Sequence, residues 1–199
     1  MKQAILTPEE AADVRAAVDT LRKGGIILYP TDTIWGIGCD ARNSDAVRRV
    51  FEIKRRSDAK ALITLVDSVA VLERTVSEIP EVGYQLLEAT EETPTTIIYD
   101  SPAPGALAPE LQAEDGSVGV RVSHEAISSA ICRGFRGPVV STSANISGKP
   151  AAACFADIDP EIIAAADYVC TSRRNEPKGA GRPSGILKLG KGGTIKIIR

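Results

Sequence analysis

The feature that most constrains the fold is the alternation of short, β-branched apolar runs with stretches whose apolar residues recur at helical spacing. Residues 26–29, 95–99 and 118–122 each have the length and composition of a strand. Further strands are predicted at residues 61–66, 138–141, 168–171, 185–189 and 194–198, the last two as a hairpin. This mixture predicts an α/β fold with a twisted mixed sheet flanked by helices.

Helix signals separate these strands. Thr7 is a predicted N-cap, because Pro8 follows at the first helical position and Glu10 supplies the capping-box carboxylate. Other helical segments are predicted over residues 44–56, 68–92, 125–133 and 160–166. The 199 residues show no internal repeat and no shift in composition, so we expect one domain spanning residues 1–199.

Small polar side chains follow two of the strands at the point where each strand ends. Ser141, Ser143 and Asn145 come after one apolar run, and Thr31 and Thr33 follow the run at residues 26–29. Short hydroxyl and amide groups can bind phosphate or ribose oxygens with little loss of side-chain entropy. The alternative is that these groups only satisfy main-chain atoms at the strand ends.

A cluster of cations closes the helix predicted over residues 44–56. Lys54, Arg55 and Arg56 lie in its last turn, and Lys60 follows shortly after. One cation there would complement the negative end of the helix dipole, but the cluster exceeds that need. Together with the hydroxyl groups, it predicts a site for an anionic ligand.

One ordered series of motifs runs from about residue 24 to residue 199: Gly24-Gly25, Pro30-Thr31-Asp32-Thr33, Lys54-x-Arg56, Val120-Arg121 and Ser141-x-Ser143-Ala144-Asn145. In this order and spacing the chain resembles the YrdC/Sua5 family, and the resemblance implies a single-domain, YrdC-like fold in its short form. Members are threonylcarbamoyl-AMP synthases. They combine L-threonine, bicarbonate and ATP, release pyrophosphate, and supply the intermediate for modifying adenosine 37 of certain transfer RNAs.

The resemblance also implies roles for individual residues. Lys54 and Arg56 are the expected catalytic residues, which meet the carboxylate, the carbonate unit and the phosphates. Threonine and bicarbonate are expected at Thr31, Thr33, Arg121 and Ser184. The nucleotide is expected at Lys54, Arg56, Ser141, Ser143, Asn145 and Arg199.

The implied reaction is nucleotidyl transfer, with ATP as a substrate. Mg²⁺ is expected to accompany ATP, but no residue is predicted as a metal ligand. The implied partners are downstream proteins that transfer the threonylcarbamoyl group to transfer RNA, and a local contact with transfer RNA or double-stranded RNA stays open.

Several positions depart from the family's pattern: Trp35, Lys60-Ala61-Leu62, Glu92-Thr93-Pro94-Thr95 and Ser184-Gly185-Ile186. Charged positions are kept while shape-setting positions change, so substrate preference and the level of activity stay open. Two glycine motifs match nucleotide-binding patterns only in part, at residues 36–41 and 185–191, and are predicted to be turn glycines.

Composition excludes several classes of function. No run of residues has the length and apolarity of a membrane span, and no secretion signal begins the chain, so we expect a cytoplasmic protein without a membrane partner. Four separated cysteines, without a C-x-x-C pair, and one histidine argue against a structural zinc site. A net charge of -2 argues against binding RNA by bulk electrostatics alone.

Two other functions stay open from the sequence. The first is a non-catalytic RNA-binding module of the same fold, which would use Arg48, Arg49, Lys54, Arg55 and Arg56. The second is a carbamoyl-transfer domain like that of hydrogenase maturation proteins, although that domain normally lies in a longer chain with zinc-finger cysteines.

Overall fold

The computed structural model describes residues 5–55, 62–176 and 184–199. Its helices are α1 (Pro8–Arg22), α2 (Ser44–Ile53), α3 (Val69–Thr75), α4 (Glu81–Ala89), α5 (Ala126–Phe135) and α6 (Pro160–Ala165). Its strands are β1 (Ile27–Tyr29), β2 (Gly36–Gly38), β3 (Ile63–Val66), β4 (Thr95–Tyr99), β5 (Val118–Val122), β6 (Val139–Ser143), β7 (Tyr168–Val169), β8 (Gly185–Leu189) and β9 (Ile195–Ile197).

The described strands form one mixed sheet in the order β7-β1-β2-β6-β3-β5-β4-β8-β9. Parallel pairs join β1 to β7, β3 to β5 and β4 to β8, and the other neighbours are antiparallel. The predicted α/β class, with a twisted mixed sheet flanked by helices, is confirmed. The division of the chain into domains stays a prediction.

Strand register places the predicted polar residues on one face of the sheet. Ile63 of β3 lies opposite both Ser141 of β6 and Gly119 of β5. Ser143 and Arg121 lie two residues further along β6 and β5, and side chains two residues apart in a strand point the same way. The serines of β6 and the arginine of β5 therefore share a face.

Helix α1 packs against α5 and is fixed to the far edge of the sheet by a buried carboxylate. Asp13, only 1% exposed, accepts hydrogen bonds from Tyr168 Oη at 2.5 Å and from the main-chain amide of Ser172 at 2.7 Å. It also accepts two bonds from the Thr171 amide, both at 3.0 Å. Burial alone would raise the pKa of Asp13, but these bonds outweigh that effect and lower the pKa.

Two local predictions are wrong. Helix α2 ends at Ile53, three residues before the predicted end at residue 56, because Lys54 caps it and Arg55 takes a left-handed conformation with φ of 51°. Gly36 and Gly38 lie in strand β2 rather than in a turn. By contrast, Gly192 and Gly193 have φ of 73° and 80°, as expected for turn glycines between β8 and β9.

Gly38 is required by the close approach of β2 to β6. A Cβ atom at this position would lie 1.9 Å from the carbonyl oxygen of Val140, far inside contact distance. The absence of a side chain thus lets β1 and β2 pack beside the strand that carries Ser141 and Ser143.

Across residues 5–55, 62–176 and 184–199, no helix combines the length and the apolarity that crossing a membrane requires.

Candidate active site

A cavity of about 320 Å³ opens on the face of the sheet that carries the two β6 serines. Its described lining includes eight of the residues predicted from the sequence: Thr31, Thr33, Arg121, Ser141, Ser143, Asn145, Ser184 and Arg199. They come from segments that are distant along the chain, as the hypothesis of one shared cleft requires. Hydroxyl, amide and guanidinium groups together give the cavity the character of an anion site.

The threonines after β1 form one rim of this cavity. Thr31 Oγ1 donates to the carbonyl of Ile34 at 2.6 Å and lies 3.0 Å from Thr33 Oγ1. Gly36 brings this rim close to β6, because a Cβ atom there would be 3.2 Å from Thr31 Cγ2 and 3.3 Å from Ser141 Oγ. Thr31, which follows β1, and Ser141 of β6 therefore both lie close to Gly36.

Arg121 supplies a buried positive charge at the floor of the cavity. Its side chain is 2% exposed, and Nη2 lies 3.0 Å from Asp32 Oδ1. That pair is close enough for a salt bridge, but Asp32 Oδ1 has no hydrogen bond of acceptable angle to a described residue, and neither has Arg121 Nε. A guanidinium N–H that is buried without an acceptor is costly, so a ligand oxygen that accepted from Arg121 Nε would remove that cost.

The Lys54 ammonium binds main-chain carbonyls at the end of β6. The residue is 1% exposed, and its Nζ donates to the carbonyl oxygens of Ser143 and Asn145, the latter at 2.8 Å. Its own carbonyl accepts from the Ser147 amide at 2.9 Å. Lys54 thus lies beside the predicted nucleotide residues but outside the described lining of the cavity, and a direct phosphate contact stays a prediction.

Asn145 presents a buried acceptor to the cavity. Its Nδ2 donates to the carbonyls of Lys149 at 2.6 Å and Ile146 at 3.1 Å, which fixes the orientation of the amide. Its Oδ1 is buried and accepts no hydrogen bond from any described residue. The amide oxygen therefore keeps an unused capacity to accept a hydrogen bond in a residue that lines the cavity.

The opposite rim is built from the end of the chain. Ser184 Oγ lies 2.9 Å from Thr96 Oγ1, and Arg199 donates to the Ser184 carbonyl from Nη2 at 3.0 Å and from Nε at 3.3 Å. Thr96 is 1% exposed and sits in β4, beside the strand that carries Arg121. This network holds the Ser184 hydroxyl at the cavity.

A second cavity of about 530 Å³ adjoins the first. Asn145, Lys149 and Ala151 line both cavities. The second is walled mainly by small apolar groups: Ala144, Ile146, Pro150, Ala152, Ala153, Ala156, Ile158 and Pro160. Such walls suit a flat apolar ring next to a polar, anion-binding chamber.

Three residues of this arrangement were given no role by the sequence: Asp32, Thr96 and Lys149. Asp32 stands inside the Thr31-to-Thr33 motif, and that position could have indicated a partner for a buried cation. Thr96 and Thr95 are adjacent in a strand, so the sequence alone does not show which hydroxyl faces the site. Arg56, a predicted catalytic residue, lies outside the described residues.

The arginines of the proposed RNA-binding row are engaged with acidic side chains. Arg48 pairs with Asp45 and Glu110, Arg49 with Asp167 at 3.1 Å, and Arg55 with Glu161 at 2.6 Å. With Lys54 buried, the described part of this row presents little unpaired positive charge. Because these ion pairs are exposed, they contribute little, and the RNA-binding alternative stays a prediction.

Metal-binding side chains do not gather in the part of the chain that the structure describes, where no three His, Cys, Asp or Glu residues come together in a possible ion site. Burial raises the pKa of Tyr29, which keeps the phenol beside Ser141 protonated. The polar chemistry of the site is that of hydroxyl, amide, guanidinium and ammonium groups.

Comparison with known proteins identifies the family of the chain. The family model Sua5_yciO_yrdC, described as telomere recombination, matches residues 19–199. A curated threonylcarbamoyl-AMP synthase from Xanthomonas campestris pv. campestris (strain B100) is 34% identical over 174 residues, 87% of this chain and 91% of that protein. One from Saccharophagus degradans is 40% identical over 135 residues, 68% of this chain and 70% of that protein.

A solved structure shares the fold. The crystal structure of P. abyssi Sua5 complexed with L-threonine superposes with a TM-score of 0.82 at 26% identity, covering 92% of this chain and 52% of that one. This chain therefore spans about half the length of that Sua5 protein. On the match to the family model and on these relatives, the chain belongs to the Sua5/YciO/YrdC family.

Proposed function

We propose that this chain is a threonylcarbamoyl-AMP synthase. It would condense the amino group of L-threonine with bicarbonate to a carbamate, with loss of water. A carbamate oxygen would then attack the α-phosphorus of ATP while the bond to pyrophosphate breaks. The product would supply downstream proteins that modify adenosine 37 of transfer RNA, in the cytoplasm, where ATP and transfer RNA meet. The curated relatives that carry this enzyme name support the proposal.

The observation that carries the proposal is a matched pair of unsatisfied buried groups in one cavity. Arg121 Nε is a donor and Asn145 Oδ1 an acceptor, and neither has a hydrogen-bond partner among the described residues. A carboxylate or carbamate would accept from the guanidinium, and a ribose hydroxyl or an amino group would donate to the amide oxygen. A ligand that carries an acid group together with an amino or hydroxyl group can satisfy both, and threonine and a nucleotide each have this combination.

One end of the site is polar and cationic and the other is largely apolar, as the two substrates of this reaction require. Arg121, with the rims of Thr31, Thr33 and Ser184, forms the end suited to threonine and bicarbonate. Asn145 lies where the polar cavity meets the alanine-lined one, which has the room and the apolar walls for a purine. The carbamate and the α-phosphate would then meet near Ser141 and Ser143.

The residues act mainly by positioning and by neutralising charge. A threonine carboxylate and a triphosphate both bring negative charge into the cavity, and Arg121 and Arg199 offset it. Mg²⁺ would enter with ATP as part of the substrate. Lys54 would hold the main chain of Ser143 and Asn145 in place as charge moves toward pyrophosphate.

Mass spectrometry tests the proposal directly. The chain is incubated with MgATP, L-threonine and ¹³C-bicarbonate, and the mixture is searched for the labelled mixed anhydride while pyrophosphate is measured. We expect both products, and neither when threonine or bicarbonate is omitted. Pyrophosphate release that ignores threonine, or RNA affinity without ATP turnover, contradicts the proposal.

Arg121→Lys gives the matched test of the site. The substitution keeps the charge but loses the planar donor pair, so we expect about a 100-fold loss of turnover in a folded protein. Arg22→Lys is the control, because Arg22 sits at the exposed end of α1 and contacts Asp19 and the carbonyl of Gly134. Its turnover should equal that of the wild type.

A further inference from the structure

Lys149 lies at the passage between the polar cavity and the alanine-lined cavity, and it lines both. It follows the loop that ends at Gly148, a residue with φ of 83°. The family resemblance gives no role to this position. A nucleotide that placed its base in the alanine-lined cavity and its acid groups in the polar cavity would bring its phosphates next to this cation.

Two hydrogen bonds hold the main chain of Lys149, whereas a single exposed ion pair holds its side chain. Its amide donates to Ile146 O at 3.0 Å, and its carbonyl accepts from Asn145 Nδ2 at 2.6 Å. The side chain is 59% exposed and ends in an ion pair, with Nζ 2.8 Å from Asp159 Oδ2. An ion pair this exposed contributes little, so the ammonium can leave Asp159 at small cost.

Asp159 is the fixed member of the pair. Its Oδ1 accepts from the Glu161 amide at 3.1 Å as the N-cap of α6, and its side chain is 23% exposed. The nearby ammonium of Lys149 lowers the pKa of Asp159, so the carboxylate stays charged at neutral pH. The charged carboxylate keeps the lysine side chain at the rim of the alanine-lined cavity.

The other cations in the described lining of the polar cavity each contact a partner inside the site. Arg121 faces Asp32, and Arg199 donates to the Ser184 carbonyl. Lys149, whose own side chain is 59% exposed, ends instead in a single ion pair with Asp159. A triphosphate, with its high charge, would outcompete a single carboxylate for that ammonium.

We propose that Lys149 leaves Asp159 to bind the phosphates of the nucleotide, and that it sets the preference of the site for a nucleoside triphosphate over an uncharged nucleoside. This inference rests on the proposed function, because it places the nucleotide across the two cavities. Asp159 acts as a positioning residue that holds the ammonium at the passage until phosphate replaces it.

If phosphate replaces Asp159 as the partner of Lys149, substitutions of the two residues should have opposite effects on ATP affinity. Lys149→Met removes the ammonium and should weaken ATP binding about 10-fold, while Lys149→Arg should stay within about 3-fold of the wild type. Asp159→Asn keeps an N-cap oxygen but frees the lysine and removes a negative charge, so ATP should bind about 2-fold to 5-fold more tightly. A purely structural ion pair would make both variants worse.

A second lysine–aspartate pair supplies the control. Lys188 Nζ lies 2.5 Å from Asp115 Oδ2, and Asp115 Oδ1 accepts from the Ser117 amide at 3.1 Å, just as Asp159 accepts from Glu161. This pair lines neither the polar nor the alanine-lined cavity. Lys188→Met and Asp115→Asn should leave ATP binding unchanged.

Isothermal titration calorimetry of the full chain with MgATP, AMP and adenosine tests the exchange, with melting curves to confirm that each variant is folded. We expect Lys149→Met to lose affinity for MgATP but not for adenosine, and threonine binding to stay at the wild-type value. Equal MgATP affinity in the wild type and Lys149→Met, or weaker binding in Asp159→Asn, overturns the inference alone. A wild type that binds no MgATP overturns the inference and the proposed function together.

Discussion

Replacing Lys54 by methionine separates a structural role of this lysine from a direct contact with substrate. Methionine keeps the unbranched apolar stem and removes the ammonium that donates to the carbonyls of Ser143 and Asn145. Because the residue is 1% exposed, water would not replace the lost donors easily. The variant should therefore change both the stability of the protein and the position of the β6 exit.

The size of the stability loss follows from these contacts. Each hydrogen bond from a charged donor contributes about 1.5 to 3 kcal/mol, and part of that sum only offsets the cost of burying the ammonium. We expect a net loss of about 3 kcal/mol in the free energy of unfolding. For a chain of 199 residues this corresponds to a fall in Tm of about 6 to 12 °C.

The same variant should lose at least about 100-fold in ATP-dependent turnover, because a shift of about 1 Å in Ser143 or Asn145 would misplace the nucleotide. Thermal melting and pyrophosphate release are measured on the same sample, below the Tm of the variant. The control is Lys188→Met, whose half-exposed ion pair with Asp115 should contribute less than about 1 kcal/mol.

Two results would refute this reasoning. A Tm equal to that of the wild type with turnover lost would mean that Lys54 lends its charge to the substrate instead of holding the two carbonyls. Near-normal turnover in a destabilised variant would remove Lys54 from the catalytic machinery altogether.

Three further substitutions test the frame around the site. Asp13→Asn should cost about 3 kcal/mol at pH 7, by denaturant unfolding, because it removes the charge that accepts several buried hydrogen bonds. The folded-state pKa of Asp13 is lowered, so its contribution to stability is present above the unfolded-state pKa of about 3.9 and is lost as the pH falls through the folded-state pKa. The difference in Tm between this variant and the wild type should therefore shrink in acid. Gly38→Ala should abolish folding as judged by circular dichroism, because the Cβ would overlap the Val140 carbonyl; a stable variant would disprove the β2–β6 packing. Thr96→Val should raise the KM for threonine several-fold with kcat little changed, because the Ser184 hydroxyl loses its partner; an unchanged KM would remove Thr96 from the site.

Local signals were enough to predict most elements of the sheet. The capping box at Thr7 forms as expected, with the Glu10 carboxylate accepting from the Thr7 amide at 2.7 Å. Strands β4, β5 and β8 have the bounds that composition predicts. These elements are specified by caps, turn glycines and β-branched residues that act over a few positions.

Strand β2 could not be predicted for a physical reason. Two of its three residues are glycines, which are depleted in strands, and the pattern resembles a loop. The strand forms because its neighbours need to be close: Gly38 admits the Val140 carbonyl, and Gly36 admits Thr31 and Ser141. Tertiary packing therefore overrides local propensity at this position.

The residue types of the candidate site could be predicted from the sequence, but the hydrogen bonds between them could not. Residue types at strand exits indicated an anion site, and a period of two along β6 is enough to place Ser141 and Ser143 on one face. The role of Lys54 depends on which carbonyls β6 brings within reach of its ammonium, and those of Ser143 and Asn145 lie 89 and 91 positions away along the chain. The left-handed Arg55 that follows Lys54 carries no clear sequence signal.

The loop that follows β6 has features of both interpretations, because Asn145 Nδ2 does donate to the main-chain carbonyls of Ile146 and Lys149. If its side chains only satisfied main-chain groups, they would bind the carbonyls of the β6 exit. Instead, the Ser143 and Asn145 carbonyls accept from Lys54, and the Ala144 amide donates to the Trp35 carbonyl at 2.9 Å. Lys54 therefore satisfies these carbonyls, and the Asn145 amide oxygen, which is itself an acceptor, has no partner among the described residues. An unsatisfied buried acceptor is unfavourable in the empty protein, and the same cavity is lined by Arg121, which has an unsatisfied buried donor, so a ligand that satisfies both groups would stabilise the site.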